Sequence, residues 1–153
     1  MTNDKVLLLY WSKTGNTQTF VDHFVSQSSL PVDVYDMKRS PIISARDVKK
    51  YSKIVIGSYT WGYGKIPEPV KSFIIDNVSV FQNKTVFLFG SGNSIYPKFC
   101  GAIDNIEVIM NDIESEVYAK VKIDQRFNVS DYTEEQLRNI NKSIKNFSEV
   151  SYE

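Results

Sequence analysis

The chain has 153 residues, of which 42% are apolar and 13% aromatic, enough to bury one core of ordinary domain size. Its 18 basic and 18 acidic residues give a formal charge of zero, which argues against a whole-chain attraction to nucleic acid or to anionic lipid. One cysteine and one histidine argue against an internal disulfide and a transition-metal site, and the chain shows neither a signal peptide nor an apolar segment of membrane-spanning length. We therefore expect a single cytoplasmic domain over residues 1–153, with no nucleic-acid or membrane partner.

Short apolar runs alternate with helical stripes along the chain, a pattern typical of an α/β domain with a parallel sheet. The second predicted strand alternates apolar and polar residues, so we expect it at a sheet edge. The third is a short apolar run that ends in glycine, as expected of a central strand. The five strands are predicted at residues 6–10, 31–36, 53–57, 85–89 and 116–123.

Helices are predicted between and after these strands. Pro67 and Pro69 flank the start of one, because proline is tolerated in a first helical turn. Thr133 to Gln136 match a capping box in front of the last. The apolar stripes are Phe20, Val21, Phe24 and Val25 within residues 17–27; Val70, Phe73 and Ile74; Phe99, Ala102, Ile103, Ile106, Met110 and Ile113, the longest amphipathic helix predicted; and Leu137, Ile140, Ile144 and Phe147.

Five strands and at least four helices, joined by right-handed crossovers, predict a three-layer, doubly wound α/β fold with a five-stranded parallel sheet. Ligands of such folds bind outside the carboxyl ends of the strands, at the point where the strand order reverses. The loops that follow strands one, three and four are therefore the candidates for a site. They are residues 11–17, 58–66 and 91–98.

The first loop ends in Thr14-Gly15-Asn16-Thr17 and runs into a predicted helix. Its backbone N–H groups and the positive end of the helix would point outward together, an arrangement that binds phosphate. A tight turn followed by an Asn or Thr helix cap explains the same residues equally well. The loop lacks the spacing of a nucleoside triphosphate loop, and residues 90–95 lack the third glycine of a dinucleotide fingerprint. The side-chain donors available to a phosphate are Ser12, Thr14, Asn16 and Thr17.

The second and third loops place large aromatic side chains beside glycines. Residues 58–64 read SYTWGYG and residues 90–97 read GSGNSIYP. A flat ligand could stack between Trp61 and Tyr96, each contact contributing about 1 kcal/mol beyond its buried area. Glycines would let the backbone reach the edge of the ligand. A phosphate at one end and a planar ring at the other is the outline of a mononucleotide such as FMN.

Three stretches in this order resemble those of short-chain flavodoxins: residues 12–17 (SKTGNT), 57–64 (GSYTWGYG) and 89–102 (FGSGNSIYPKFCGA). They fall at the predicted strand ends in a chain of matching length, so the resemblance covers essentially the whole chain. It implies the strand order 2-1-3-4-5, FMN as the cofactor, and a low-potential one-electron carrier rather than an enzyme. It also implies a monomer that receives electrons from a flavodoxin or ferredoxin reductase and passes them to redox enzymes.

The resemblance also implies a role for each matching residue. Residues 12–17 would bind the FMN phosphate, Trp61 and Tyr96 would cover the two faces of the ring, residues 61–64 would lie near flavin N5, and residues 91–93 near its pyrimidine edge. The family stabilises the neutral semiquinone through a flipped peptide carbonyl, and Gly62 matches that peptide. The predicted cofactor-binding residues are Ser12, Lys13, Thr14, Gly15, Asn16, Thr17, Ser58, Tyr59, Thr60, Trp61, Gly62, Tyr63, Gly64, Ser91, Gly92, Asn93, Tyr96, Phe99 and Cys100. For the Cys100 side chain we expect a buried small hydrophobe rather than a redox thiol.

The chain departs from the family in its charge. Flavodoxins are strongly acidic, and Tyr63 and Asn93 stand where the family usually has Asp. Residues 10–17, 58–67 and 90–101 contain three lysines and no carboxylate. Because negative charge disfavours a reduced anionic flavin, we expect a semiquinone/hydroquinone couple less negative than in acidic flavodoxins. If the three lysines point into water instead, solvent screens them and they change the potential little; the sequence is compatible with both arrangements.

Three alternatives follow from the same residues. The flavodoxin-like activators of class Ib (manganese) ribonucleotide reductase share a Ser-Gly-Asn stretch and are less acidic, so ribonucleotide reductase is an alternative partner. A flavin-dependent quinone or FMN reductase is an enzyme-class alternative. A response-regulator receiver is rejected, because the third strand ends in Gly57-Ser58 rather than in a phosphorylated Asp.

Overall fold

The computed structural model describes residues 2–11, 17–38, 43–60, 64–92, 100–124 and 128–149. These contain five strands, six α-helices and one 3₁₀ turn, Val129–Asp131. The strands are β1 (Thr2–Trp11), β2 (Val32–Asp36), β3 (Tyr51–Tyr59), β4 (Thr85–Gly92) and β5 (Glu116–Asp124). The helices are α1 (Gln18–Gln27), α2 (Ala45–Val48), α3 (Glu68–Asp76), α4 (Val78–Phe81), α5 (Gly101–Asp112) and α6 (Glu134–Glu149).

All four strand pairings are parallel and the order is β2-β1-β3-β4-β5, which confirms the predicted doubly wound fold and its strand order. Two apolar clusters cover the two faces of the sheet. One joins the sheet to α1 and α6 through Phe20, Phe24 and Phe147. The other joins it to helices α2 to α5, with Val48, Val70, Phe81 and Ile106 among its buried members. The sheet therefore lies between two helical layers.

The position of each strand follows from its sequence. β3 is buried on both faces from Ser52 to Ser58 and occupies the centre of the sheet, as its continuous apolar run predicts. β2 alternates, is only partly buried and forms one edge, which was also predicted. Gly57 lies directly against the ring of Phe89, and a Cβ at that position would overlap the ring. Any residue larger than glycine at position 57 would therefore have to displace the buried Phe89 ring.

Two predictions about the helices were wrong. Val25 was assigned to the buried stripe of the first helix, but it is 42% exposed while Phe20, Val21 and Phe24 are buried. The helix predicted from the stripe between Phe99 and Ile113 was expected to be the longest, but α6 has 16 residues against 12 for α5. The apolar stripe of α6 is narrow and runs only from Leu137 to Phe147, so it underestimates the length of a helix that spans Glu134–Glu149. The four-residue helices α2 and α4 were not predicted, because one turn carries no periodicity.

The capping box at the start of α6 is confirmed by two reciprocal hydrogen bonds. The Gln136 N–H donates to Thr133 Oγ1 (3.1 Å), and the Thr133 N–H donates to Gln136 Oε1 (2.9 Å). At the other end of α6, Lys53 Nζ donates to the Ser148 carbonyl (2.8 Å) from the beginning of β3. The C-terminal end of α6 therefore lies at the amino edge of the sheet. No helix among the described residues is long and apolar enough to cross a membrane.

Candidate functional site

The carboxyl ends of the three central strands meet at one edge of the sheet. In the strand register Trp11 pairs with Ser58, Ser58 with Gly90, and Tyr59 with Ser91. The loops that follow these strands therefore start side by side. This is the edge at which doubly wound folds bind their ligands, because the connections from β1 and β3 turn to opposite sides there.

Thr17 lies at the start of α1, where the first predicted loop enters the helix. The residue is completely buried, and no described residue provides a hydrogen-bond partner for its Oγ1 atom. Its side chain makes no capping hydrogen bond either, although its carbonyl accepts from the Val21 N–H (3.0 Å). Thr17 occupies the N-cap position of α1, but its side chain does not make the capping hydrogen bond that the helix-cap alternative requires. A buried hydroxyl without a partner costs roughly 1 to 3 kcal/mol, so a ligand that accepts its hydrogen bond would recover that energy.

The second loop begins with backbone tied to the strands around it. The Thr60 N–H donates to the Ser91 carbonyl (3.2 Å), which extends the β3–β4 pairing by one bond. Ser58 is completely buried, and its hydroxyl donates to the Tyr59 carbonyl (2.8 Å). Thr60 Oγ1 accepts from the Ala102 N–H (3.1 Å). The hydroxyls of Ser58 and Thr60 thus hold the backbone of the second loop in place.

Cys100 confirms its prediction as a buried small side chain. It is completely buried, and its Sγ lies 3.4 Å from the Gly90 carbonyl oxygen and 3.5 Å from that of Ile123. The residue adopts a left-handed backbone (φ 52°) just before α5. A Cβ on Gly92 would lie 3.1 Å from its backbone nitrogen, so this glycine permits close packing of β4 against the start of α5. The Cys100 thiol faces the protein interior.

Two residues of α5 that the sequence did not single out reach the edge of the site. Asn105 Nδ2 donates to the Gly64 carbonyl (2.6 Å) at the end of the second loop. Asp104 accepts from Lys120 Nζ (2.8 Å) and Lys122 Nζ (2.7 Å), and Lys120 also pairs with Glu107 (2.8 Å). Neither Asn105 nor Asp104 belongs to the apolar stripe of α5, so the hydrophobic periodicity gave no reason to single them out. Only their position one helical turn after the third loop could have suggested a role.

The charged groups on β5 and α5 neutralise one another. Burial alone would raise the pKa of the Asp104 carboxyl, but hydrogen bonds from Lys120 and Lys122 outweigh it and hold that pKa below its ordinary value. Hydrogen bonds to Asp104 and Glu107 raise the pKa of Lys120. Two carboxylates thus face two lysines. This cluster adds no net charge beside the three loops.

Of the predicted cofactor-binding residues, the structure describes Thr17, Ser58, Tyr59, Thr60, Gly64, Ser91, Gly92 and Cys100. It brings the ends of the second and third loops together through Thr60, Ser91 and the start of α5. The remaining predicted residues lie outside the described residues. These are Ser12, Lys13, Thr14, Gly15, Asn16, Trp61, Gly62, Tyr63, Asn93, Tyr96 and Phe99.

The single histidine is not part of this edge of the sheet. His23 Nε2 lies 2.6 Å from Asn141 Oδ1, so the residue joins α1 to α6. His23 is partly buried by this contact. Within the described ranges, no group of three or more His, Cys, Asp or Glu side chains is placed to hold a metal ion.

The class of the protein follows from this arrangement: it is a doubly wound α/β protein with helix N-termini and polar backbone at the carboxyl edge of its sheet, the class that binds nucleotides there. Comparison with known proteins gives the family. A sequence model described as flavodoxin matches residues 8–139.

Individual relatives agree with the family match. The chain is 30% identical over 145 residues to "Probable flavodoxin 2" of Bacillus subtilis, covering 92% of this chain and 93% of that one. It is 32% identical over 124 residues to "Probable flavodoxin 1" of the same organism, covering 74% and 73%. Among solved structures, oxidised flavodoxin 2 from Bacillus cereus is 26% identical, with a TM-score of 0.68 and 94% of each chain covered.

The chain therefore belongs to the flavodoxin family. It is an FMN-binding electron carrier, as the resemblance in the sequence implied. Flavodoxins are electron-transfer proteins rather than enzymes, and they act with redox partners. The comparisons do not favour the activator of class Ib ribonucleotide reductase.

Proposed function

We propose that FMN binds at the carboxyl edge of the sheet, with its phosphate on residues 12–17 and its ring between Trp61 and Tyr96. The observation that carries this placement is the buried Thr17 hydroxyl, for which no described residue provides a partner. The start of α1 supports it, because the first turn of a helix leaves N–H groups without an intrahelical acceptor. Bound FMN would supply the capacity to accept and release one electron at a time.

In this proposal the residues of the chain hold and enclose the cofactor. Thr17 donates a hydrogen bond to the phosphate, and the backbone of residues 61–64 and 91–93 lies along the edge of the ring. Thr60 and Ser91 keep the second and third loops together through their backbone hydrogen bond. The three loops contain Lys13, Lys65 and Lys98 but no carboxylate, so they bring no negative charge to the cofactor. No side chain of the chain is assigned a catalytic role.

The proposal extends to the surroundings in which the carrier acts. Residues 1–153 form one FMN-binding domain, which takes electrons from a flavodoxin or ferredoxin reductase and passes them to acceptor enzymes. A monomer is supported by the large apolar side chains exposed in the described residues. They are scattered over separate elements and include Val25, Val34, Ile75 and Val108. A cytoplasmic location is supported by the single, buried cysteine.

The Thr17→Val variant tests the placement of the phosphate. Valine has the shape of threonine without the hydroxyl, so the apoprotein should be as stable as the wild type or more stable, since a buried group without a partner is removed. The dissociation constant for FMN should rise roughly 10- to 150-fold, because a hydrogen bond to a charged group contributes about 1.5 to 3 kcal/mol. Titration of the apoprotein with FMN, read by quenching of flavin fluorescence, measures it.

Thr19→Val is the matched control. Thr19 is exposed on the same helix, two residues further on, and its substitution should leave FMN affinity unchanged. Equal affinities for the wild type and Thr17→Val would contradict the proposed phosphate site. Equal losses in Thr17→Val and Thr19→Val would contradict it too, since they would indicate a general effect on α1.

A further inference from the structure

The helix α5 starts without a cap of its own. Cys100 precedes it in a left-handed conformation (φ 52°, ψ 32°), and its side chain makes no capping hydrogen bond. The Ala102 N–H instead donates to Thr60 Oγ1 (3.1 Å), a hydroxyl that comes from the loop after β3. One of the first N–H groups of α5 is therefore satisfied by the second loop of the site, and that loop is attached to the helix.

The same helix holds the other end of this loop. Asn105 Nδ2 donates to the Gly64 carbonyl (2.6 Å), and Gly64 is a buried residue with φ 81°. Ala102 and Asn105 are three residues apart, so they lie on one face of α5. Thr60 and Gly64 are consequently fixed to adjacent turns of a single helix. Three residues of the chain, 61–63, separate the two attachment points.

The helix that carries both attachment points is itself firmly placed on the sheet. Gly90 of β4 packs so closely under it that a Cβ there would lie 2.8 Å from Ile103 Cγ2. Ala102, Ile103 and Ile106 are completely buried. The Thr60 N–H adds a hydrogen bond to the Ser91 carbonyl of β4 (3.2 Å). The two ends of the loop are thus held relative to the sheet and to the start of the third loop.

We propose that Asn105 is a positioning residue for the flavin, and that with Thr60 it fixes the loop that contacts the ring. This proposal rests on the proposed function, which places residues 61–64 beside FMN. A loop fixed at both ends loses less conformational entropy when the ligand binds, so fixing it raises the affinity. The two attachment points, Thr60 and Gly64, also limit how far the loop could adjust to either redox form of the flavin. The affinities for the oxidised and reduced forms should therefore differ more than they would with a free loop.

This discrimination can be measured as a redox potential. By linkage, the shift of the potential of bound FMN from that of free FMN is proportional to the logarithm of the ratio of the affinities for its two redox forms. Release of the loop should bring these affinities closer together. The first one-electron midpoint potential should therefore move toward the value for free FMN. A threefold change in the ratio corresponds to about 28 mV, at 59 mV for each factor of ten.

The experiment compares Asn105→Ala, Thr60→Val and the double variant with the wild type. Alanine is a better helix former than asparagine, so Asn105→Ala should fold. We expect each single variant to bind FMN about 3- to 10-fold more weakly, the contribution of one hydrogen bond. The double variant should lose less than the product of the two single losses, because either substitution already releases the loop. The midpoint potential of each FMN-loaded variant and the thermal midpoint of each apoprotein complete the set.

Asn139→Ala is the matched control, since Asn139 is an exposed helical asparagine on α6. It should change neither the FMN affinity nor the potential. If the wild type binds FMN while Asn105→Ala keeps the wild-type affinity and potential, the positioning role is overturned and the proposed function is untouched. A fall in the thermal midpoint without a change in potential would also overturn it, because a merely structural bond behaves in that way. Independent losses in the double variant would exclude a shared clamp, and a wild type without FMN affinity would overturn the proposed function as well.

Discussion

At the scale of the residue, polar groups removed from water at the two edges of the sheet differ in whether the chain provides them with a hydrogen-bond partner. At the carboxyl edge the Thr17 hydroxyl has no partner among the described residues, which leaves it for a ligand. At the amino edge such groups are paired within the chain. Tyr51 donates to Asp33, Lys53 to the Ser148 carbonyl, and Lys84 to the Lys49 carbonyl. Burial lowers the pKa of both lysines, and the nearby charge of Lys49 lowers that of Lys84 further.

The Tyr51→Phe variant tests the hydrogen bond at the amino edge. Below pH 10, removal of the hydroxyl should lower the free energy of unfolding by about 0.5 to 1 kcal/mol, the smaller part of the usual range because the pair is partly exposed. Burial and the bond to Asp33 raise the pKa of Tyr51 above its ordinary value of 10.0. As the pH rises past 10, the unfolded chain loses this proton first, so stability falls. The phenylalanine variant lacks this part of the loss.

Urea unfolding at pH 7 and at several values above pH 10 measures the effect. Tyr118→Phe is the control, because it removes a hydroxyl from a tyrosine that packs against Phe147 through its ring. Its pH dependence should follow that of the wild type. A difference between the wild type and Tyr51→Phe that does not shrink above pH 10 would contradict the account.

At the scale of the element, the capping box of α6 can be tested by itself. The Thr133→Ala variant removes the hydroxyl that accepts from the Gln136 N–H, which should destabilise the protein by about 1 kcal/mol. For a chain of this size the thermal midpoint should fall by about 2 to 4 °C, read by circular dichroism. Arg138→Ala, at an exposed position of the same helix, should leave the midpoint nearly unchanged. An unchanged midpoint in Thr133→Ala would show that the cap contributes nothing.

Most elements could be predicted from the sequence because their burial is carried by local patterns. The central position of β3 followed from its continuous apolar run, and the start of α6 from four residues. Val25 was misplaced because the stripe of α1 is narrower than the spacing of its apolar residues suggests. The length of α6 was underestimated because a mostly exposed helix contains few apolar residues. Its length is set by i→i+4 hydrogen bonds, which leave no mark in hydrophobicity.

The candidate site was predicted from the composition of the loops at the strand ends, but the hydrogen bonds that hold those loops in place were not predicted. Loops rich in glycine, hydroxyl and aromatic residues pointed to the carboxyl edge of the sheet, where FMN is proposed to bind. Asn105 contacts Gly64, 41 residues earlier in the chain, and Asp104 contacts Lys120, 16 residues later. Only the packing of α5 against the sheet brings these residues together. Thr60 was predicted among the cofactor-binding residues, and nothing in the sequence indicated that its hydroxyl accepts from the start of α5. Pairings of this kind depend on tertiary geometry.

At the scale of the whole molecule, charge is the property in which the sequence departs from what its resemblance to acidic flavodoxins leads us to expect. Its formal charge is zero, and the carboxylates of Asp104 and Glu107 are paired with lysines. The flavin should therefore experience little negative charge. This supports the prediction that the second one-electron couple is less negative than in acidic flavodoxins.

Lys65→Glu tests this electrostatic prediction, because Lys65 is exposed at the end of the second loop. The second midpoint potential of bound FMN should become more negative by on the order of 10 to 40 mV, as expected for an exposed charge. The shift should shrink in 1 M salt. Lys145→Glu makes the same change in net charge near the amino edge of the sheet and should leave the potential unchanged. Equal shifts in both variants would show that net charge, rather than the rim of the site, sets the potential.

The central claim is that this chain binds FMN and uses it to carry single electrons. The most direct measurement is a visible spectrum of the apoprotein during titration with FMN, followed by stepwise reduction with dithionite. We predict one FMN bound per chain at micromolar protein, with quenched flavin fluorescence, and reduction in two separate one-electron steps. Failure to bind FMN at micromolar protein, or reduction of the bound flavin in one two-electron step, would contradict the account.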